Sequence, residues 1–354
     1  MIEKVCHIGP ALNVQGGISS VLCCYRDAFR LPNENFIASY NGSFVRSLPL
    51  LFFVCFRLLI FPSQKFELYQ IHTSSYGSFF RKYLISLCLR IRRKKYIVHI
   101  HGSMFDKFCS GAPWFVKWMV GDYFRSAVKI LVLSSEMKDI LWGVDSSLDN
   151  FDVVPNPGAN ISEYPEELEK HALPVKIIFS GRFGKRKGVF DLIQAFSETR
   201  FHVPAKLFLF GDGEIEKVRY EVEHSLKRND IAIFPWLEHE KYIKELPKYD
   251  FLVLPSYAER FSMSLVEALG VGLPVISTFV GGTTEVVENG VCGILNEAGN
   301  IQALTGSLEK LVNDKALRIR MGKAGWNRAK TCFAPNVILE KLERIYAESR
   351  CRDA

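Results

Sequence analysis

The chain has no run of the ~18 apolar residues that a spanning helix requires. Its nearest approach, Leu48 to Phe61, is shorter and is broken by Arg57. An integral helical membrane protein is therefore not expected. The first residues, Met-Ile-Glu-Lys-Val-Cys-His-Ile-Gly, lack the basic-then-apolar order of a signal peptide, so a cytoplasmic protein is expected. The nine cysteines are scattered, with Cys23 and Cys24 adjacent and no C-x-x-C. That pattern suggests neither a disulfide framework nor a zinc site, and most of the cysteines read as small core residues. There is no His-Glu-x-x-His and no Asp-x-Asp, so neither metal nor cofactor is expected. Low-complexity tracts and short internal repeats are also missing.

What is present is ordinary globular composition, 48% apolar and 23% charged over 354 residues, enough for two domains with cores of their own. Charge is divided unevenly. Residues 1–158 carry 18 Lys and Arg against 11 Asp and Glu, whereas residues 159–354 carry 27 of each. A basic first half implies an anionic partner surface. Short β-rich runs alternate with amphipathic stretches. Val5–Ile8, Phe36–Ser39, Leu68–His72, Tyr96–Ile100, Lys129–Leu133 and Val153–Val154 read as one series of strands. Ile177–Ser180, Leu207–Phe210, Ile231–Phe234, Phe251–Leu254, Val275–Ser277 and Gly293–Leu295 read as a second. Repeated strand–helix–strand units imply parallel sheets covered on both faces. The expected class is α/β, with two tandem Rossmann-like domains facing across a cleft. The expected divisions are a domain over 1–158, an acidic linker over 159–174, a second domain over 175–334, and a C-terminal helix over 335–354. The closing helices are expected to pack back toward the first domain.

Glycine and charge gather at several strand ends. Gly16-Gly17-Ile18-Ser19-Ser20 follows the first strand. It suits either close approach of a ligand to a helix N-terminus or a plain helix start capped by Ser19 or Ser20. Gly181-Arg182-Phe183-Gly184-Lys185-Arg186-Lys187-Gly188 puts cations, glycines and a helix start at one strand end, an arrangement that suits a diphosphate or a solvated basic turn. Glu259 and Glu267 flank a helix start after Leu254. Ser264-x-x-Glu267 is also a capping box, so spacing leaves open whether Glu267 serves the backbone or a ligand. Gly281-Gly282 ends another strand. In the first half, alternation places His99 and His101 on one strand face, and Gly102 marks the strand end.

Together these motifs resemble the retaining glycosyltransferases of family 4, which have the GT-B fold. The likeness lies in Gly16-Gly17, Gly181-Arg182 with Lys187-Gly188, Gly211-Asp212-Gly213, and the Glu259–Glu267 E-x7-E spacing. Gly270-x-Gly272-Leu273-Pro274-Val275, Gly281-Gly282 and Glu285 follow in order. It runs most clearly from Ile177 to Leu295. The resemblance implies a UDP- or GDP-linked sugar donor and a glycan or lipid-linked glycan acceptor, in cell-surface polysaccharide or lipopolysaccharide assembly. It implies Arg182 and Lys187 on the diphosphate and Glu267 on the ribose. Glu259 would contact the donor sugar, with Phe261, Ser262 and Met263 lining the same loop. Gly16 and Gly17 would border the substrate, and His101 would reach the sugar from the first domain. Ser262 departs from the family's usual glycine at that point, which removes the freedom of φ > 0. The residues suit metal-independent stabilisation of a departing diphosphate. A helical spacing of ~12 Å would separate Glu259 from Glu267, against the ~5–5.5 Å of a retaining glycosidase pair.

Residues 78–95 read as a basic amphipathic helix, with Phe80, Leu84, Leu87 and Ile91 on one face and Arg90, Arg92, Arg93, Lys94 and Lys95 at its end. It suits either an anionic membrane surface or an ordinary buried helix with cations at its C-terminus. No motif for nucleic acid accompanies the charge, and no such partner is expected. The competing functions are a sugar-nucleotide epimerase or another enzyme of the same fold, or a non-catalytic membrane- or nucleic-acid-binding protein.

Overall fold

The computed structural model describes all residues except 1, 15, 62–63, 103–104, 159–162, 167, 169–171 and 352–354. Much of the expected linker, including Glu167 and Glu169, thus lies outside the described residues. The chain divides into two compact units. The first comprises Met1–Pro157 with Pro335–Ala354, and the second Gly158–Ala334.

The first unit is built on six parallel strands: β1 (Val5–Gly9), β2 (Phe36–Ala38), β3 (Leu68–Thr73), β4 (Lys95–Ile100), β5 (Lys129–Val132) and β6 (Phe151–Val153). Their order is β2-β1-β3-β4-β5-β6. The helices are α1 (Gly17–Ala28), α2 (Phe44–Ile60), α3 (Gly77–Ile91), α4 (Phe105–Ser110), α5 (Trp114–Arg125) and α6 (Ser135–Val144). The strands are nearly continuous apolar runs because helices cover both faces. On one face Ile8, Ile71, Val98 and Ile130 pack with Leu51 and Val54 of α2, Phe79 of α3, Val120 of α5 and Leu141 of α6.

The other face is covered by α1 and by the last helix, through Val21, Tyr25, Leu342 and Ile345. It carries a polar stripe as well. His7, Gln70, His72 and His99 alternate with Val5, Leu68 and Ile97, and all four are fully buried.

The second unit repeats the plan with β7 (Val175–Ser180), β8 (Ala205–Phe210), β9 (Ile231–Phe234), β10 (Phe251–Val253), β11 (Val275–Thr278) and β12 (Gly293–Asn296). Their order is β12-β11-β10-β7-β8-β9, again all parallel. Its helices are α7 (Val189–Glu198), α8 (Ile215–Glu223), α9 (His239–Glu245), α10 (Met263–Gly270), α11 (Thr283–Val286), α12 (Ile301–Asn313) and α13 (Lys315–Cys332). Only the final helix, α14 (Pro335–Cys351), joins the first unit; α12 and α13 stay in the second. The reason is α14's own apolar stripe, Ile338, Leu342, Ile345 and Tyr346, which fills the first unit's core. The Tyr346 hydroxyl donates to Gln70 Oε1 within that polar stripe.

The buried imidazoles make the first unit acid-sensitive. Burial, then the neighbouring His99, lowers the pKa of His7 to about 3; burial lowers that of His99 to about 3. His72 and His101 are pushed well below their ordinary value by burial and by the other histidines. The unfolded chain takes up these protons below about pH 6.5 and the native fold does not. Stability is therefore retained above pH 6.5 and lost as pH falls toward 3. At pH 5 the shift of His7 or of His99 removes about 2 kcal/mol. Urea titrations at pH 7 and pH 5 should show that loss in the first unit's transition. His99→Asn should reduce the pH slope by about one proton; an unaltered slope would mean that His99 already protonates in the folded state.

Candidate functional site

In the second unit, three loops meet beyond the carboxyl ends of β7, β8 and β10. The switch in strand order falls between β7 and β10, where open α/β sheets leave a crevice for ligands. Phe183 pairs with Gly213 as a β-bridge, and the Phe183 amide donates to the Asp212 carbonyl at 2.5 Å. That contact joins the Gly181–Gly188 loop to the Gly211–Gly213 turn. The Tyr257 amide donates to the Arg186 carbonyl at 2.8 Å, joining it to the Pro255–Phe261 loop. Gly188 makes this approach possible. Its φ is 69°, and a Cβ there would stand 2.0 Å from the Pro255 carbonyl oxygen.

These contacts bring the sequence-expected residues together. Lys187 forms an ion pair with Glu259 Oε1, and the Ser256 hydroxyl donates to the same oxygen at 2.9 Å. Glu259 is buried and Lys187 nearly so. Arg182 is exposed at the same edge, and no ion pair is formed by it among the described residues. Phe261 and Ser262 are buried beside Glu259, and Met263 opens α10.

The two readings of Glu267 are now separable. Ser262 occupies the N-cap position and the helix begins at Met263, two residues too early for a Ser264–Glu267 capping box. Ser264 Oγ instead points to the Ser180 carbonyl, at 3.5 Å. Glu267 is buried and meets His239 Nε2 of α9 at 2.9 Å. That bond raises the His239 pKa, against burial, which lowers it. His239 and Ser256 were not anticipated from sequence. Glu238-His239-Glu240 matches no motif, and only the packing of α9 beside α10 carries the imidazole to Glu267.

Two expectations need correction. Ser262 has φ −85°, an ordinary conformation for any residue, so the missing glycine costs no backbone freedom here. Glu259 precedes α10, so the helical estimate of its separation from Glu267 does not apply.

In the first unit, α1 begins at Gly17 with Gly16 as its N-cap. Neither Ser19 nor Ser20 caps it, and a Cβ at Gly16 or Gly17 would meet nothing within 4 Å. His101 follows β4 and is half-buried. Its Nε2 lies 2.9 Å from His72 Nδ1, and His72 Nε2 lies 3.2 Å from His7 Nδ1. Each neutral imidazole donates once and accepts once, so the tautomers of the three rings are set together. Nitrogens of His72, His99 and His101 lie within 4.8 Å of one another, the set among the described residues best placed to take a metal ion. In this structure they are engaged otherwise. His72 bonds His101, and His99 Nδ1 meets Gln70 Nε2 at 3.0 Å.

The basic helix differs in detail from expectation. In α3 the buried face is Phe79, Lys82, Tyr83, Ser86 and Leu89, so Phe80, Leu84 and Ile91 point outward. Arg90 pairs with Asp122 at 2.6 Å, Lys94 reaches the Phe66 carbonyl, and Lys95 reaches the Arg350 carbonyl. Arg92 and Arg93 remain exposed.

Residues 160–328 match the family model described as glycosyl transferases group 1. The chain is 30% identical over 178 residues to the capsular polysaccharide biosynthesis glycosyltransferase CapM of Staphylococcus aureus, covering 48% of this chain and 44% of CapM. It therefore spans under half the length of that relative. It is 24% identical over 310 residues to the UDP-Gal:α-D-GlcNAc-diphosphoundecaprenol α-1,3-galactosyltransferase of Escherichia coli, covering 82% of this chain and 77% of that one. Among solved structures, Anabaena HepE in complex with UDP-glucose superposes with a TM-score of 0.76 at 17% identity, covering 97% of this chain and 99% of that one. Likeness at this identity shows the fold, a two-domain α/β fold of the GT-B type.

The Glu267–His239 bond gives a direct check on the site. Its stabilisation is complete below the ordinary imidazole pKa and is lost as pH rises through the raised value of His239. Glu267→Gln should return the His239 titration, followed by NMR, toward about 6.5. An unchanged titration would mean that the contact does not form in solution.

Proposed function

We propose, from the match of residues 160–328 to the model of glycosyl transferases group 1, that the protein moves a sugar from a UDP- or GDP-linked donor to a glycan or lipid-linked glycan acceptor, with retention, in cell-surface polysaccharide assembly. The observation that carries this reading is the joining of Arg182, Lys187, Glu259 and Glu267 at one strand edge with no structural need for Arg182. In this reading Arg182 and Lys187 bind the donor diphosphate, Glu267 the ribose hydroxyls, and Glu259 the sugar. The loop Phe261-Ser262-Met263 lines the donor; in the first unit Gly16 and Gly17 border the substrate and His101 contacts the sugar. CapM and the Escherichia coli galactosyltransferase, whose names place them in polysaccharide and lipid-linked glycan synthesis, support this class of substrate.

Chemically, departure of the nucleoside diphosphate develops negative charge on the leaving oxygens. Two cations and the backbone donors at the start of α7 favour that charge more than the ground state, without a metal. Lys187 would then be shared between the phosphate and Glu259, which fixes its ammonium before the donor arrives. Removing one such preorganised donor costs on the order of 2.7–4 kcal/mol in other enzymes.

We also infer peripheral attachment to an anionic membrane through the first unit. No helix among the described residues is long and apolar enough to cross a bilayer. Yet α2 exposes Phe52 at 76%, with Phe53, Phe56 and Ile60, and α5 exposes Trp114 at 80%, with Trp118. Both helices pack on the same sheet face as α3, whose outward Phe80 and Leu84 lie with the exposed Arg92 and Arg93. Aromatic and basic groups on one surface suit the headgroup boundary of a bilayer.

Two measurements test these readings. A panel of UDP- and GDP-sugars should raise the melting temperature for one nucleotide class, with transfer activity that survives EDTA. Arg182→Ala should lower turnover at least about a hundredfold with little change in melting. Stabilisation by no nucleotide sugar would end the transferase reading. Separately, the protein should co-sediment with anionic vesicles, and Phe52→Ser with Phe56→Ser should release it. Equal binding to neutral vesicles, or none to either, would remove the membrane reading alone.

A further inference from the structure

A buried cation without a counter-charge lies at the carboxyl edge of the first sheet. Lys82, in the second turn of α3, is 2% exposed. Its ammonium donates to Ser39 Oγ, which itself donates to the Gly9 carbonyl at 2.9 Å, and neither partner is charged. The neighbouring Arg81 holds its guanidinium 4.9 Å from the centre of the Tyr40 ring, and its Nε is buried with no hydrogen-bond partner. Ser75 Oγ, just before α3, is likewise buried and unpartnered.

Among the described residues neither cation forms an ion pair. Other cations of the same unit do, Lys4 with Glu67, Arg125 with Asp145, and Lys129 with Asp152. An ammonium taken from water with no opposite charge is costly. Burial, and then repulsion from Arg81, lower the Lys82 pKa to about 7, so a small bias from a bound anion suffices to keep it charged. The place in the fold is specific. Gly9 ends β1, Ser39 follows β2, and β3 lies on the other side of β1. The switch in strand order falls between β1 and β3, so Gly9 borders the first sheet's ligand crevice and Lys82 lies beside it.

We propose that Arg81 and Lys82 form an anion subsite in the first unit that takes a phosphate group carried by the acceptor. This rests on the transferase reading only for the word acceptor. The donor set favours phosphate over carboxylate. A guanidinium fork and an ammonium offer more hydrogens than the two oxygens of a carboxylate accept in one geometry, whereas a phosphate presents three or more oxygens. The alternative is that Lys82 is a neutral amine whose whole role is the bond to Ser39.

Calorimetric titration of the full chain separates the two. UDP at saturating concentration first occupies the donor site, and inorganic pyrophosphate is then titrated, with glucuronate as the carboxylate arm. Pyrophosphate should still bind the parent, and Arg81→Gln and Lys82→Met should each weaken it at least tenfold while UDP affinity is unchanged. In phosphate-free buffer Lys82→Met should melt no lower than the parent, because it removes an unpaired buried charge. Should that variant fail to fold, half-buried Arg81→Gln carries the measurement. Pyrophosphate binding that survives both changes, that vanishes when UDP is present, or that is weaker than glucuronate binding overturns the proposal. Failure of UDP to bind the parent would count against the transferase reading instead, and pyrophosphate binding dependent on Arg81 would still support the subsite.

Discussion

The ion pair between Lys187 and Glu259 organises the carboxyl edge of the second sheet. Both groups are largely withdrawn from water, so each is tolerable only because the other is there. The pair fixes the Gly181–Gly188 loop against the Pro255–Phe261 loop. Gly188 allows the contact by giving up a side chain where Pro255 approaches. Ser256 supplies a further hydrogen bond to the same carboxylate. With that frame in place, Arg182 is left exposed at the edge, and Glu267 is turned toward His239 rather than toward its own helix start.

The first unit handles polar groups differently. Its inner stripe of His7, Gln70, His72 and His99 is buried under α1 and α14, and its members bond chiefly to one another and to Tyr346. Such a network specifies how α14 seats, since Tyr346 meets Gln70 in only one register. It also links His101, at the sheet edge, to the interior through His72. The outer face of the same unit carries large apolar groups in water on α2 and α5. A sheet with a polar interior stripe and an apolar exterior patch inverts the usual distribution on both sides.

Much of this was legible from residues alone. Each of the twelve strands among the described residues was visible as a short apolar run between turn residues, because parallel strands buried on both faces need little else. The glycine and charge clusters at strand ends pointed to Arg182, Lys187, Glu259 and Glu267 because strand, loop and helix follow one another in sequence there. The apolar stripe of α3 was equally visible, but which of its faces is buried was not. Phe79 and Tyr83 took the core and left Phe80 and Leu84 in water, since α3 is rotated by its packing against α2 and α5 rather than by its own periodicity.

The α/β alternation, the two parallel sheets and the strand-end loops could be read from the residues alone, because they depend on residue order and on near-neighbour patterns. Packing set which groups far apart in the chain lie close in space. It brought His239 to Glu267 and Ser256 to Glu259, returned α14 to the first unit, and left Lys82 buried beside Ser39 with no carboxylate. Those outcomes follow from how helices pack across a sheet, where a rotation of one helix by a single residue's turn exchanges one set of neighbours for another. No local pattern in the chain encodes that angle.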